Sequence, residues 1–525
     1  MTSSFFSPRR SLLSSRRAPV RSNAFLTAAF AALLLASQIA CTPRTPQATT
    51  PELTLLYNTE EESAEKSAVA QVVQAQLLKA GIPTKLEPVA NSVFYDRIGS
   101  GSYQSALALW YLDYDDPEGF LTDFYSKAGF RMAKYQSADY DKAYLTGLLA
   151  PAAAGKLAGF QEARRILLKD LPWIPLYSNN EIFLLGQGAE GFQSNAYQYY
   201  DYRNVSRESV RAASNVELQT LDPALVYDLA SKHVSTQSYE GLVAMDAKLS
   251  IVPALASSWE FSAGMDRIVF TLRKGVKFHG AFGAVTSKDV KASFERMLKQ
   301  NSPYAYIFDH VKGVDEYKAG KTPGVSGFRA DAPNSFVIEL KEPFPTMLTW
   351  LLAPAASIVP SELPQKYDFS KGSVGTGPFI LKSWNGSLAV LDANPSYWKK
   401  ADDGTALPKA KTLSIRIMKE VNATLTAFQH GDLDVLDVPL ALYGEVLDTT
   451  GRLKPQYARY RMTTVQLNNL KFLSFRMGSA PWGTDAALRR KVYDSIDRTA
   501  IVTNLFRGQA RAASGLIPQW ETKRP

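Results

Sequence analysis

The sequence predicts a mixed α/β fold built from more than one domain, and three observations carry that prediction. Runs such as RIVFTLRKGVKF from Arg267, SFVIELKEPF from Ser335, SLAVLDAN from Ser387 and TLSIRIM from Thr412 read as strands, each bounded nearby by Gly, Pro or Asn. Between them, apolar residues recur at helical spacing: Val290, Phe294 and Met297 after Thr286, and Leu488, Val492 and Ile496 after Thr484. Finally, 525 residues with 46% hydrophobic content are enough for a large core and exceed the usual size of a single domain.

The elements follow in order. Residues 42–52, TPRTPQATTPE, have no apolar periodicity and read as a tether. The fold begins at Leu53 with the strand LTLLYN. Thr59 and Glu62 have capping-box spacing for a helix that runs to about Lys79 and ends at Gly81. SALALWYLDY, from Ser105, is a buried strand whose C-terminal end carries Trp110 and Asp113 before a turn at Pro117, and ligands of open α/β sheets gather at such strand ends. Amphipathic helices are expected near 137–149 and 156–169, then extended chain through IPLYSNNEIFLL.

The first 40 residues form an export signal. Arg9, Arg10, Arg16, Arg17 and Arg21 precede an apolar run from Ala24 to Ala36, which is shorter than the roughly 20 residues that span a bilayer. Cys41, the single cysteine of the chain, follows soon after and suits lipid modification of a new N-terminus. Ala40 fits that reading, whereas Gln38 stands where such signals carry leucine, so a plain secretory signal with an incidental cysteine also fits. The arginine pairs are compatible with twin-arginine export as well as with an ordinary basic signal.

Five of the formal nine excess positive charges are those leader arginines, so the rest of the chain is only mildly basic and nucleic-acid binding has no support. One cysteine excludes paired-cysteine zinc motifs, and His233, His279, His310 and His430 never fall three or four apart. No metal or cofactor is implied. Without a cysteine nucleophile, a histidine pair or a nucleotide loop, the chain reads as a binding protein and not an enzyme. A hydrolase using Asp113 and Asp116 is the catalytic alternative.

Six segments resemble the extracytoplasmic peptide- and nickel-binding solute receptors of ABC importers: ALASSWEFSAGMDRIVFTLRKGVKFH from Ala254, TSKDVKASFERM from Thr286, GTGPF from Gly375, NPSYW from Asn394, GDLDV from Gly431 and RRKVYDSIDRTAIV from Arg489. A second block, from Leu53 through WYLDYDDPEGF to LPWIPLYSNNEIFL, resembles the C-terminal half of that family, yet here it comes first. The resemblance therefore implies a circularly permuted order joined near Asn204 and Ser206, with a misassembled gene as the alternative. It also implies a fold of the periplasmic binding protein type II kind, with three lobes around a hinged cleft. After the signal (1–40) and the tether (41–52), one lobe would join 53–180 with 473–525, a second would span 247–374, and the third would combine 181–246 with 375–472.

The resemblance implies site residues too. Asp113 resembles the aspartate that receives a peptide α-ammonium, and Trp110 a pocket tryptophan; the bland reading of Asp113, Asp115 and Asp116 is a turn cap. Tyr304, in NSPYAY, resembles a tyrosine that holds the same ammonium from another lobe, or is a packed tyrosine. Tyr227 would lie beside the ligand or in the core, and Asn58 would border the cleft or begin the turn. Leu107 and Ser63 occupy two positions that supply a cation for the ligand carboxylate in relatives; Arg97 or Arg461 would substitute, unless they are surface residues. The expected partners are short peptides, the permease subunits of an inner-membrane ABC transporter and membrane lipid, for a monomeric lipoprotein in the periplasm or at the cell surface. Nickel chelates, haem or oligosaccharides are alternative ligands, and sensing is an alternative to transport.

Overall fold

The computed structural model describes residues 50–59, 63–112, 116–128, 131–150, 152–246, 248–364 and 366–517. The signal, most of the tether, Cys41, Glu62, Asp113 and Asp115 lie outside the described residues.

Among the described residues, the dominant element is one twelve-stranded mixed sheet. From one edge its order is Phe379–Trp384, Leu388–Ala393, Thr412–Ile417, Ser209–Ser214, Val435–Asp437, Trp173–Leu185, Asn469–Phe475, Ser105–Tyr111, Leu53–Asn58 and Thr84–Val89. Arg461–Gln466 and Ala510–Ala512 also pair with Trp173–Leu185. The strand Leu53–Asn58 runs parallel to both neighbours, and its nearly continuous burial is that of a strand covered on both faces. Trp173–Leu185 is 13 residues long, so it reaches about 40 Å and serves both halves of the sheet. Its first part pairs with Asn469–Phe475, its second with Arg461–Gln466 and Val435–Asp437.

A separate antiparallel sheet holds Phe328–Ala332, Ser335–Glu339, Arg267–Leu272 and Ala256–Phe261 in that order. Here burial alternates along Arg267–Leu272 and Ser335–Glu339, because only one face is covered. The covering element is the helix Ser287–Lys299, which opens on a complete capping box between Thr286 and Asp289 and buries Val290, Phe294 and Met297 as its spacing predicts. The helix Ala486–Ser495, expected after Thr484, is capped by the next residue, Asp485, whose carboxylate accepts from the Ala487 and Leu488 amides. The helices Ala138–Leu148 and Ala153–Asp170 form where the sequence predicts them, and they pack on each other.

One contiguous apolar core joins residues of the first block, such as Phe120, Phe124 and Trp173, to Phe270, Phe294, Phe336 and Leu352 of the smaller sheet and its surroundings. Within it Trp173 stacks on Phe472 with ring centroids 3.7 Å apart. The opposite face of the large sheet has its own core, containing Leu55, Tyr57, Leu107, Ile174 and Leu473.

Candidate functional site

Trp110 sits at the C-terminal end of the strand Ser105–Tyr111, paired with Leu470 and partly buried, its ring 6.0 Å from that of Trp173. The described chain resumes at Asp116. That carboxylate is buried, accepts the Glu118 amide at 3.0 Å, and receives the ammonium of Lys156. Lys156 Nζ also donates to the Thr346 hydroxyl at 3.1 Å. A single cation therefore ties Asp116 to Thr346, which lie 40 positions before it and 190 positions after it in the chain.

The Thr346 segment leads to Tyr304. Trp350, in the short helix Met347–Trp350, packs edge-on against Tyr306 at 5.6 Å, and Tyr306 lies parallel to Tyr304 at 6.3 Å. Trp110 and Tyr304 are thus half-buried on the same apolar core. Tyr306 itself, Val216 and Tyr227 are exposed, Tyr227 to 63%.

Asn58 is placed differently. It is 1% exposed, its amide nitrogen donates to Asn91, and its oxygen accepts from Lys66 Nζ at 2.7 Å. Close by in sequence, Glu65 pairs with the buried Lys471 at 3.0 Å and accepts the Tyr177 hydroxyl at 2.8 Å. Asn58 consequently belongs to a packed polar network beneath the strand end. Arg97 is committed to Glu87 in a two-pronged ion pair, 2.7 and 3.2 Å. Leu107 is buried in the core.

A pocket of about 450 Å³ is lined, among the described residues, by none of Asn58, Trp110, Tyr227 and Tyr304. Its wall includes Tyr199, Asp201, Arg203, Glu240, Leu352, Tyr397 and Trp398. Glu240 accepts from Trp398 Nε1 (2.9 Å), Tyr397 Oη (2.9 Å) and Thr376 Oγ1 (2.8 Å), while loss of solvent around it raises its pKa. Thr376 belongs to the GTGPF turn, which is pressed onto the end of the helix Leu229–Ser238: a methyl group at Gly375 would overlap the Ser238 carbonyl. His279 locks the other side of that turn, contacting Ser373 Oγ and the Gly377 carbonyl at 3.0 Å each, and burial lowers its pKa to about 4. Those contacts explain the GTGPF and NPSYW motifs as parts of a rigid frame. Neither Lys156 nor Thr346 carried a local sign of its contact in the sequence.

A profile of bacterial extracellular solute-binding proteins, family 5 Middle, matches residues 33–131 and 250–523. This chain belongs to that family. It is a family of binding proteins, with the α/β fold of type II periplasmic binding proteins. A probable D,D-dipeptide-binding periplasmic protein of Escherichia coli K12 is 30% identical over 318 residues, 57% of this chain and 55% of its own length. The periplasmic oligopeptide-binding protein of Salmonella typhimurium is 28% identical over 304 residues, covering 55% and 52% of the two chains. The chain spans about half the length of the curated relatives it matches. Among solved structures, the murein tripeptide-binding protein of Escherichia coli gives a TM-score of 0.41 at 23% identity, over 46% of this chain and 48% of that one. The oligopeptide-binding protein of Borrelia burgdorferi gives 0.42 at 22%, over 46% and 49%.

Proposed function

We propose that this family member is the extracytoplasmic receptor of an ABC importer, that it binds short peptides without catalysing any reaction, and that it hands them to the inner-membrane permease. The observation that carries this reading is the family match to residues of both sequence blocks, 33–131 with Trp110 and 250–523 with Tyr304. The relatives named above are described as binding dipeptides, oligopeptides or a tripeptide, which favours peptides over metal chelates, haem or sugars.

In this reading, Asp113 neutralises the peptide α-ammonium, Tyr304 contributes a hydroxyl to the same group, and Trp110 and Tyr227 line the walls. Asn58 borders the cleft through the network it shares with Lys66 and Asn91. The three lobes bounded at 180, 246, 374 and 472 close about the long strand Trp173–Leu185. Ligand drives closure because only the closed state offers both ammonium contacts. The link from Asp116 through Lys156 to Thr346 supports this, since it joins a residue close to Asp113 in sequence to the segment on which Tyr306 packs. The family halves stand in exchanged order, which is tolerated where the joined termini lie close on the surface. Cys41 carries the lipid anchor, and the monomer works in the periplasm or at the cell surface.

The decisive experiment is mass spectrometry of the small molecules released on denaturing the purified protein, alongside Asp113→Ala. Loss of one partner from a buried ion pair costs about 3 to 5 kcal/mol. Mixed short peptides are therefore expected from the parent and not from the variant. A metal chelate or a sugar would overturn the peptide assignment, and equal peptide recovery from both would overturn the role of Asp113.

A further inference from the structure

The pocket of about 450 Å³ beside Glu240 falls within the roughly 300 to 1,000 Å³ usual for small-molecule sites. Four stretches of chain, 193–204, 236–254, 351–357 and 397–407, supply most of its wall. Part of that wall is apolar, with Val243, Val252, Leu352 and Pro354 beside the rings of Tyr199 and Trp398. The Tyr199 hydroxyl is spent on the Leu352 carbonyl at 2.7 Å and the Trp398 N–H on Glu240, so these two rings offer a ligand chiefly carbon surface.

Most of the charge in the lining is already engaged. Asp201 accepts the Arg203 amide at 2.9 Å and two of its guanidinium N–H groups at 2.8 and 2.7 Å. Glu240 holds its three neutral donors, and Asp246 accepts the amides of Lys248 and Ser250, both at 2.8 Å. Arg203 gives one further N–H to Tyr397 Oη at 3.2 Å; a guanidinium has five, so two remain. Counting Arg273, whose guanidinium lies over the Trp398 ring at 4.4 Å, acidic and basic side chains around the pocket are equal in number. The unengaged ones therefore decide what it prefers. Among the described residues these are Lys399, Lys400 and Asp402, two ammonium groups against one carboxylate.

Lys399 follows Trp398 directly and is exposed as a residue, yet partial loss of solvent around its ammonium, and then the charge of Arg203, lower its pKa. Asp201, Glu240 and Asp402 attract it, and among the described residues none of them reaches ion-pair distance. A ligand acid at this ammonium gains a charge-assisted bond that the pocket's own carboxylates do not supply. We infer that the pocket is a second binding site, for a small organic carboxylate: Lys399 pairs with the acid group, Arg203 offers its two remaining N–H groups on the same wall, and the carbon body lies against Trp398, Tyr199 and Leu352. The site is independent of the peptide reading, since neither Trp110 nor Tyr304 belongs to its lining.

Calorimetric titration of the full chain with benzoate, its neutral isostere benzamide and benzylammonium tests the assignment. A charge-assisted bond is worth about tenfold or more in affinity, so the wild type is expected to bind benzoate at least that much more tightly than benzamide, and benzylammonium no better than benzamide. Lys399→Met, a change at an exposed position, brings benzoate down to the affinity of benzamide and leaves benzamide unchanged, whereas Lys399→Arg retains the preference. Asp113→Ala, which should abolish peptide binding, leaves benzoate binding intact, so the two sites fail separately. Absence of benzoate binding, equal affinity for benzoate and benzamide, or tighter binding of benzylammonium overturns the site. An undiminished benzoate preference in Lys399→Met, or an equal loss of both probes there, overturns it as well. Loss of benzoate in Asp113→Ala would place the acid in the peptide cleft and overturn it too.

Discussion

Two carboxylates anchor the functional half of this molecule, and they are held in opposite ways. Glu240 sits in a frame of neutral donors, Trp398, Tyr397 and Thr376, all contributed by the chain between Gly375 and Trp398, and that frame is further clamped by His279. Asp116 instead meets one cation, Lys156, which is shared with Thr346 on a distant segment. Several short directional bonds to one packed turn make a fixed element. One lysine shared between two segments makes a link that rests on a single side chain. Rigid parts of the fold thus carry the family motifs at GTGPF and NPSYW, while the region proposed to sense ligand depends on a contact the motifs do not contain.

The largest effect is expected where the frame is broken. Glu240→Ala leaves three donors without an acceptor and should destabilise the protein by about 3 kcal/mol or more, given roughly 1 to 3 kcal/mol for each unsatisfied buried group. Glu240→Gln keeps one acceptor oxygen and should recover part of this. Urea unfolding of both variants measures the difference; an unaltered midpoint for Glu240→Ala would show that the frame is not rigid by virtue of its carboxylate.

Acid should loosen the same frame. The folded state holds His279 neutral down to about pH 4, against 6.5 for the ordinary side chain, because protonation would bring a charge into a buried site. Between those values the unfolded chain binds a proton that the folded chain does not, so stability from this group is complete above about pH 6.5 and falls as the pH drops towards 4. The loss amounts to roughly 3 kcal/mol over that window. Asp123 acts with the opposite sign. Burial raises its pKa to about 7, so its contribution declines as the pH rises from about 4 to 7. The difference between wild type and His279→Gln, followed by unfolding at several pH values, isolates the histidine. A parallel pH dependence in both would remove His279 as the acid-sensitive element.

The smallest effect on stability belongs to the single-lysine link. Lys156 is 23% exposed, which tempers the penalty of removing it, and Lys156→Met should cost about 1 to 2 kcal/mol by leaving Asp116 without its cation. Thr346→Val removes only the far contact and should cost about 1 kcal/mol or less. The sharper readout is ligand-induced closure, measured by small-angle scattering with and without peptide. Both variants should shift the ligand-free protein towards a more open state, and identical scattering to wild type would reduce the link to a surface ion pair.

Much of the architecture was legible in the sequence. The strands Leu53–Asn58, Ser105–Tyr111 and Arg267–Leu272, together with the helix after Thr286, stand out because burial on one or two faces imposes a local period on the side chains. Caps are less legible, since adjacent polar residues such as Thr484 and Asp485 compete for one role and backbone geometry decides between them. Asn58 was readable as a strand-end residue, but its partners Lys66 and Asn91 were not.

What the sequence by itself determined is the α/β class, the order of its elements and the family, because these are written in local periodicity and in short contiguous motifs. Only the tertiary structure decided which side chains meet. Lys156 bonds partners 40 and 190 positions away, Glu240 draws on residues more than a hundred positions along the chain, and His233 acquires its neutral, unpartnered nitrogen from the packing around it. The physical reason is that hydrogen bonding and burial depend on distance in space, which a sequence encodes only through the whole of its fold.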